Sequence, residues 1–241
     1  MKKLIPLIVA VLFGCSDSNN PQVIIDKAIA AHGGNNFEKA VVSFTFRDRK
    51  YSAERYASES TYTREFSDSL GQIKDVLYNS TELVRFVNDT IVDLSPEWER
   101  RYGASVNSVL YFFQLPYGLN DTAVNKEFLG EVDVLGKPYF KIKVTFGEEG
   151  GGEDHEDVFI YWVHKENFMM DYLAYSYQTD GGGTRFRQAI NRRTINGIVV
   201  QDYINFKAKE KELPIEKHDD YFVNGKLVEL SRIINEDVKV Y

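Results

Sequence analysis

Tyr139-Phe140-Lys141-Ile142-Lys143-Val144-Thr145-Phe146 is the stretch that decides the fold. Phe140, Ile142, Val144 and Phe146 fall on one side of an extended chain, and Lys141, Lys143 and Thr145 on the other. Successive side chains of a strand point to opposite faces, whereas a helix would scatter these four apolar groups around its circumference. Leu135-Gly136-Lys137-Pro138 supplies a turn just before it, and a further extended stretch runs over about 124–134.

The period of two persists on both sides of this stretch. Upstream, Val42, Phe44 and Phe46 alternate with Ser43, Thr45 and Arg47, and strand-like stretches follow at about 49–57, 60–66, 70–78, 82–87 and 90–94, with Asn88-Asp89 as a turn. Downstream come stretches at about 158–163, 168–177, 185–195, 198–207, 218–223 and 226–235. Asn196-Gly197 and Asn224-Gly225 read as two-residue hairpin turns. Together these stretches read as an antiparallel meander, taken as roughly eleven or twelve strands. Connections this short exclude an α/β barrel or a Rossmann-type sheet, in which a helix must join each pair of parallel strands.

Two regions break the alternation. Pro21 to His32 reads as a helix, with Ile24, Ile25, Ala28, Ile29 and Ala31 in one stripe, Pro at its start and Gly33-Gly34 at its end. Ser95-Pro96-Glu97-Trp98-Glu99 has the cap, proline and acidic first turn of a second helix. A separate helical piece at Ser105–Gln114 places Val106, Val109, Leu110 and Phe113 on one face, with Tyr111 and Phe112 beside it, before Leu115-Pro116-Tyr117-Gly118.

The first fifteen residues are of another kind. Met1-Lys2-Lys3 is positive, and Leu4 to Phe13 is apolar apart from Pro6. That run is too short for a transmembrane helix, which needs about 20 residues, and has the form of a signal-peptide core. It meets Leu12-Phe13-Gly14-Cys15, which resembles the bacterial lipobox. The resemblance implies cleavage after residue 14 and a lipid on Cys15. Cys15 is also the sole cysteine, so an internal disulfide is excluded. Residues 15–21 then form a lipidated polar tether, and 22–241 a single β half-barrel domain, since all-β domains of this size are commonly undivided. The net charge of −7 becomes more negative once the leader lysines are lost. That argues against nucleic acid as a partner and leaves the lipid as the link to the membrane.

A lipobox, a leading amphipathic helix ending in His32-Gly33-Gly34 and a strand meander with a helical insertion resemble the LolA/LolB-like lipoprotein carrier and receptor superfamily. The resemblance implies a mainly β fold: a strongly curved antiparallel sheet, an unclosed half-barrel, whose concave face is covered by the N-terminal helix and the helical insertion. It implies that Trp98, Val109, Leu110, Phe112 and Phe113 belong to the plug. Phe140, Ile142, Val144 and Phe146 would line a concavity that takes up a lipid or other hydrophobic ligand. A plain core would use the same residues. The implied location is the bacterial cell envelope, at the outer rather than the inner membrane.

No catalytic pattern emerges. There is no Gly-x-Ser-x-Gly elbow, P-loop or His-Glu-x-x-His, and nothing selects a cofactor. The acidic stretch Gly147–Asp157 lacks the ligand spacing of an EF-hand and reads as a solvated loop rather than a Ca²⁺ site. His155 and His164 are too few for a metal centre. Arg185 and Arg187 flank Phe186 and share a face; they have the chemistry to grip a phosphate or carboxylate. The expectation is instead that they, with Arg192 and Arg193, pair with the abundant carboxylates on the solvent side. The functional expectation is a membrane-anchored, non-enzymatic binder of a hydrophobic ligand. The alternatives are a surface or periplasmic module that binds a polymer or protein through exposed aromatics, and, behind it, a carboxylate-based hydrolase.

Overall fold

A computed structural model of the chain describes residues 19–56, 59–149, 156–178, 181–209 and 213–241. Cys15, the leader and His155 lie outside the described residues. The chain begins with α1 (Pro21–Ala31), followed by β1 (Val42–Phe46), β2 (Arg49–Tyr56), β3 (Glu59–Asp68), β4 (Gly71–Tyr78), β5 (Glu82–Val87) and β6 (Thr90–Val92). After α2 (Pro96–Gln114) come β7 (Val124–Val134), β8 (Lys137–Phe146), β9 (Phe159–His164), β10 (Met170–Tyr177), β11 (Gly183–Ile195) and β12 (Ile198–Ala208). The chain finishes with α3 (His218–Val223), β13 (Leu227–Ile233) and β14 (Glu236–Val240).

The expected antiparallel meander is present, but it is divided. Among the described residues, fourteen strands form two seven-stranded sheets that are not closed into a barrel, rather than one sheet of about eleven. The first sheet runs β14-β1-β2-β3-β4-β5-β6 and the second β13-β12-β11-β10-β9-β8-β7. The difference lies at the C-terminal end. Glu236-Asp237-Val238-Lys239-Val240 carries too few apolar groups to register as a strand, yet it pairs along β1 with Val42 opposite Val240. The step from β13 to β14 thereby carries the chain from one sheet to the other.

Two helical readings also change. The two pieces expected at 95–99 and 105–114 are one helix, α2. Gly103 hides the continuity in the sequence. It is buried, and a Cβ there would meet Leu77 at 3.5 Å and Leu83 at 3.9 Å, which are ordinary contact distances. Residues 218–223 form α3 rather than a strand. Asn224-Gly225 is accordingly a helix ending and not a hairpin: the Asn224 and Gly225 amides donate to the Asp220 and Phe222 carbonyls. The other Asn-Gly pair does turn a hairpin, with both residues at positive φ between β11 and β12.

Three apolar cores result. In the first, Val106, Leu110 and Phe113 of α2 pack on Val42, Phe44, Tyr51 and Leu77 of the first sheet, with Phe113 stacked 4.0 Å from Phe44. In the second, Ile24, Ile25 and Ala28 of α1 meet Phe140, Ile142, Val144, Tyr161 and Tyr203 on the inner face of the second sheet. The third lies on that sheet's outer face, where Phe222 of α3 contacts Phe186, Tyr172 and Phe206. Lys141 therefore does not face water; its Nζ lies 2.9 Å from both carboxylate oxygens of Asp219 on α3.

The His-Gly-Gly ending of α1 is a joint. Gly33 has φ 122°, and a Cβ on it would come within 2.7 Å of the Gly197 carbonyl oxygen in the β11–β12 turn. Glycine alone tolerates both constraints.

Candidate functional site

A cleft of about 1630 Å³ lies between α2 and the open faces of the two sheets. Pockets for drug-sized ligands are commonly about 300–1,000 Å³, so this one has room for a longer, flexible molecule. Its aromatic wall comes from alternation on β8, β9 and β10, which turns Phe146, Phe159 and Tyr175 inward, while α2 contributes Tyr111 and Phe112. These rings touch one another: Phe112 to Tyr175 at 5.0 Å, Phe159 to both Phe146 and Tyr175 at 5.7 Å, and Tyr111 to Phe159 at 5.7 Å between centroids.

The residues singled out in the sequence divide into three groups. Val109, Phe112, Phe113 and Phe146 line the cleft. Leu110, Phe140, Ile142 and Val144 are buried in the cores and are absent from its walls. Trp98 is near the solvent end of α2, 46% exposed, stacked 5.2 Å from Tyr102 with Arg101 over its ring. It is absent from the cleft wall, whereas Pro96 and Glu99 of the same turn line it.

Polar groups converge on the second-sheet side. The hydroxyls of Tyr111 and Tyr161 are 2.9 Å apart, and the Tyr203 hydroxyl accepts from Gln201 at 2.8 Å. Burial pushes the Tyr161 phenol well above its ordinary range and raises those of Tyr111 and Tyr203 as well. All three are therefore neutral hydrogen-bonding groups at physiological pH. Asp121, also in the cleft wall, has its carboxyl raised by burial, against the opposing pull of Arg55 and Lys126.

The arginine cluster corrects the expectation from sequence. Arg192 and Arg193 do pair with carboxylates, Asp171 at 2.7 Å and Asp202 at 3.3 Å. Arg185 and Arg187 instead line the cleft. Arg187 is 8% exposed; its Nη2 donates to the Tyr175 hydroxyl at 3.0 Å and its guanidinium sits 3.7 Å from the centroid of Phe112. The reason is on the opposite face. Phe186 is claimed by the outer core under α3, so its two neighbours must turn inward. With 218–223 read as a strand, that outer core had no cover, and its existence could not be inferred.

Among the described residues, no group of three His, Cys, Asp or Glu side chains is placed to hold a metal ion. His164 is buried against Tyr139, and its Nδ1 accepts from the Glu166 amide. Within the same residues no helix is long and apolar enough to cross a membrane.

Two solved structures share the architecture over most of their length. A DUF1329 family protein from Desulfovibrio piger superposes with a TM-score of 0.54 at 11% identity, covering 91% of this chain and 92% of that one. A LolA superfamily protein from Nitrosomonas europaea gives 0.51 at 12% identity, with 91% and 92% covered. At such identities the likeness is one of fold, and the LolA-like architecture drawn from the sequence is present. No curated protein matches the chain. A family model matches residues 1–235, and by that match the chain belongs to DUF6503, described as a family of unknown function.

Proposed function

We propose that this protein is a non-enzymatic lipoprotein of the bacterial cell envelope that holds a lipid or other hydrophobic molecule between α2 and the sheets. The observation that carries this reading is the cleft itself, about 1630 Å³ with Phe112, Phe146, Phe159 and Tyr175 along one wall. Each methylene moved from water onto such a surface contributes about 0.8 kcal/mol. A long chain therefore gains affinity without many specific polar contacts, although part of that gain offsets lost ligand freedom.

The same reading includes cleavage after residue 14 and lipidation of Cys15, with 15–21 as a tether and 22–241 as one domain. It favours the outer membrane. Incorporation of labelled fatty acid in cells should be seen with the native chain and lost in Cys15→Ser; label retained by the variant would overturn the anchor. Native mass spectrometry after gentle purification tests the cleft. A lipid-sized adduct is expected, released when Phe112 is replaced by Asp. A protein free of adduct that also takes up no added lipid would overturn the binding role.

A further inference from the structure

Arg187 is poorly explained by protein packing alone. A buried cation normally has a counter-ion, because the interior cannot solvate it as water does. The molecule follows that rule elsewhere: Arg64 and Arg85 both reach Asp75 at 2.6 Å, and Arg192 reaches Asp171. Among the described residues Arg187 does not: its one hydrogen bond there is to Tyr175, its Nε has no partner, and no carboxylate of those residues forms an ion pair with it. The faces of Phe112 and Tyr175, at 3.7 and 5.1 Å, give only the partial compensation of cation–π contact. The unmet charge points into a cleft whose adjoining wall is aromatic.

We propose that Arg187 is the head-group anchor of the cleft, and that the ligand is an amphiphile carrying an anionic oxygen head, a carboxylate or a phosphate, on an acyl chain. The assignment rests on the cleft being a hydrophobe site. The guanidinium, as part of the cleft wall, donates to an anionic oxygen, a charge-assisted bond about twice as strong as a neutral one. The tail then extends from Arg187 past Phe112 toward Phe159 and Phe146, which share the cleft with it. Placing the charge inside the cleft makes the site selective as well as adhesive: a neutral head of equal chain length would leave the guanidinium desolvated and unpaired.

Calorimetric titration of the full chain with dodecanoate, dodecyl phosphate, dodecanol and inorganic phosphate tests this, in the native protein and in Arg187→Gln. Both anionic amphiphiles should bind at least tenfold more tightly than dodecanol, and Arg187→Gln should lower their affinity at least tenfold while leaving that of dodecanol within threefold. Inorganic phosphate should bind at least a hundredfold more weakly than dodecyl phosphate. Equal binding of anionic and neutral chains, or equal weakening of all by the substitution, would overturn the anchor and leave the hydrophobe site standing. Phosphate binding as tight as that of dodecyl phosphate would identify a plain anion site and overturn the amphiphile. Failure of every chain to bind would overturn the hydrophobe site and the anchor together. Thermal melting of Arg187→Gln guards against misfolding, and a melting temperature equal to or above that of the native chain is expected.

Discussion

Asp75 is fully buried, and its carboxylate is held between Arg64 and Arg85, each 2.6 Å away. Arg64 continues to Ser105 of α2 at 2.8 Å, and the Arg85 guanidinium lies 3.4 Å from the centroid of Tyr102 on the same helix. Asp75→Asn keeps the shape and removes the charge, leaving two desolvated cations without their shared counter-ion. Chemical denaturation should show a loss of about 3–5 kcal/mol. His32 acts through protonation. It is buried, its Nδ1 donates to the Ala28 carbonyl at 2.8 Å, and burial lowers its pKa from 6.5 to about 4. As pH falls from 6.5 toward 4, the unfolded chain takes up a proton that the native state refuses, so stability falls in that window. The full loss is about 3 kcal/mol. Burial shifts His218 in the same direction, so unfolding midpoints should decline as pH falls from 6.5 toward 4 in the native chain. In His32→Gln the decline should be shallower, with the His218 share remaining.

At the scale of elements, α2 carries a glycine where its neighbours would accept a methyl group. A Cβ at Gly103 would meet Leu77 and Leu83 at ordinary contact distances. Gly103→Ala should therefore stabilise the fold by up to about 1 kcal/mol through reduced backbone entropy, seen as a raised denaturation midpoint. This glycine also shows where the sequence was hard to read. Period-two patterns were legible on most of β1 to β12 because those strands keep one face on a core and turns arrive at fixed places; β6 is exposed throughout. Helices whose contacts come from distant strands were less so. The Arg100 to Ala104 stretch has no apolar stripe of its own, and His218-Asp219-Asp220-Tyr221-Phe222-Val223 looks extended until Asp219 is matched with Lys141 and Phe222 with Phe186. The candidate site suffered from the same gap. Val109, Phe112, Phe113 and Phe146, which the resemblance to LolA-like proteins pointed to, do border the cleft, whereas the inward direction of Arg187 depends on α3, on the far side of the sheet.

In the whole molecule, nearly every strand lies beside the one before or after it in the chain, and two junctions depart from that rule. One is α2, which spans from β6 to β7; the other is the crossing from β13 into β14, which completes the first sheet beside β1. A chain ending at Asn235 would expose the β1 edge, whose amides and carbonyls pair with β14, and would remove Val238 and Val240 from the first core. Such a truncation should lower the melting temperature and bring concentration-dependent aggregation, measurable by light scattering during the melt. The β14–β1 pairing also orders events in time. Synthesis delivers β14 only after the thirteen other described strands, so the first sheet keeps an unsatisfied border at β1 while the second can fold hairpin by hairpin. Until β14 arrives, the open β1 edge is a place where a second chain can pair, which makes the partly made protein prone to aggregation.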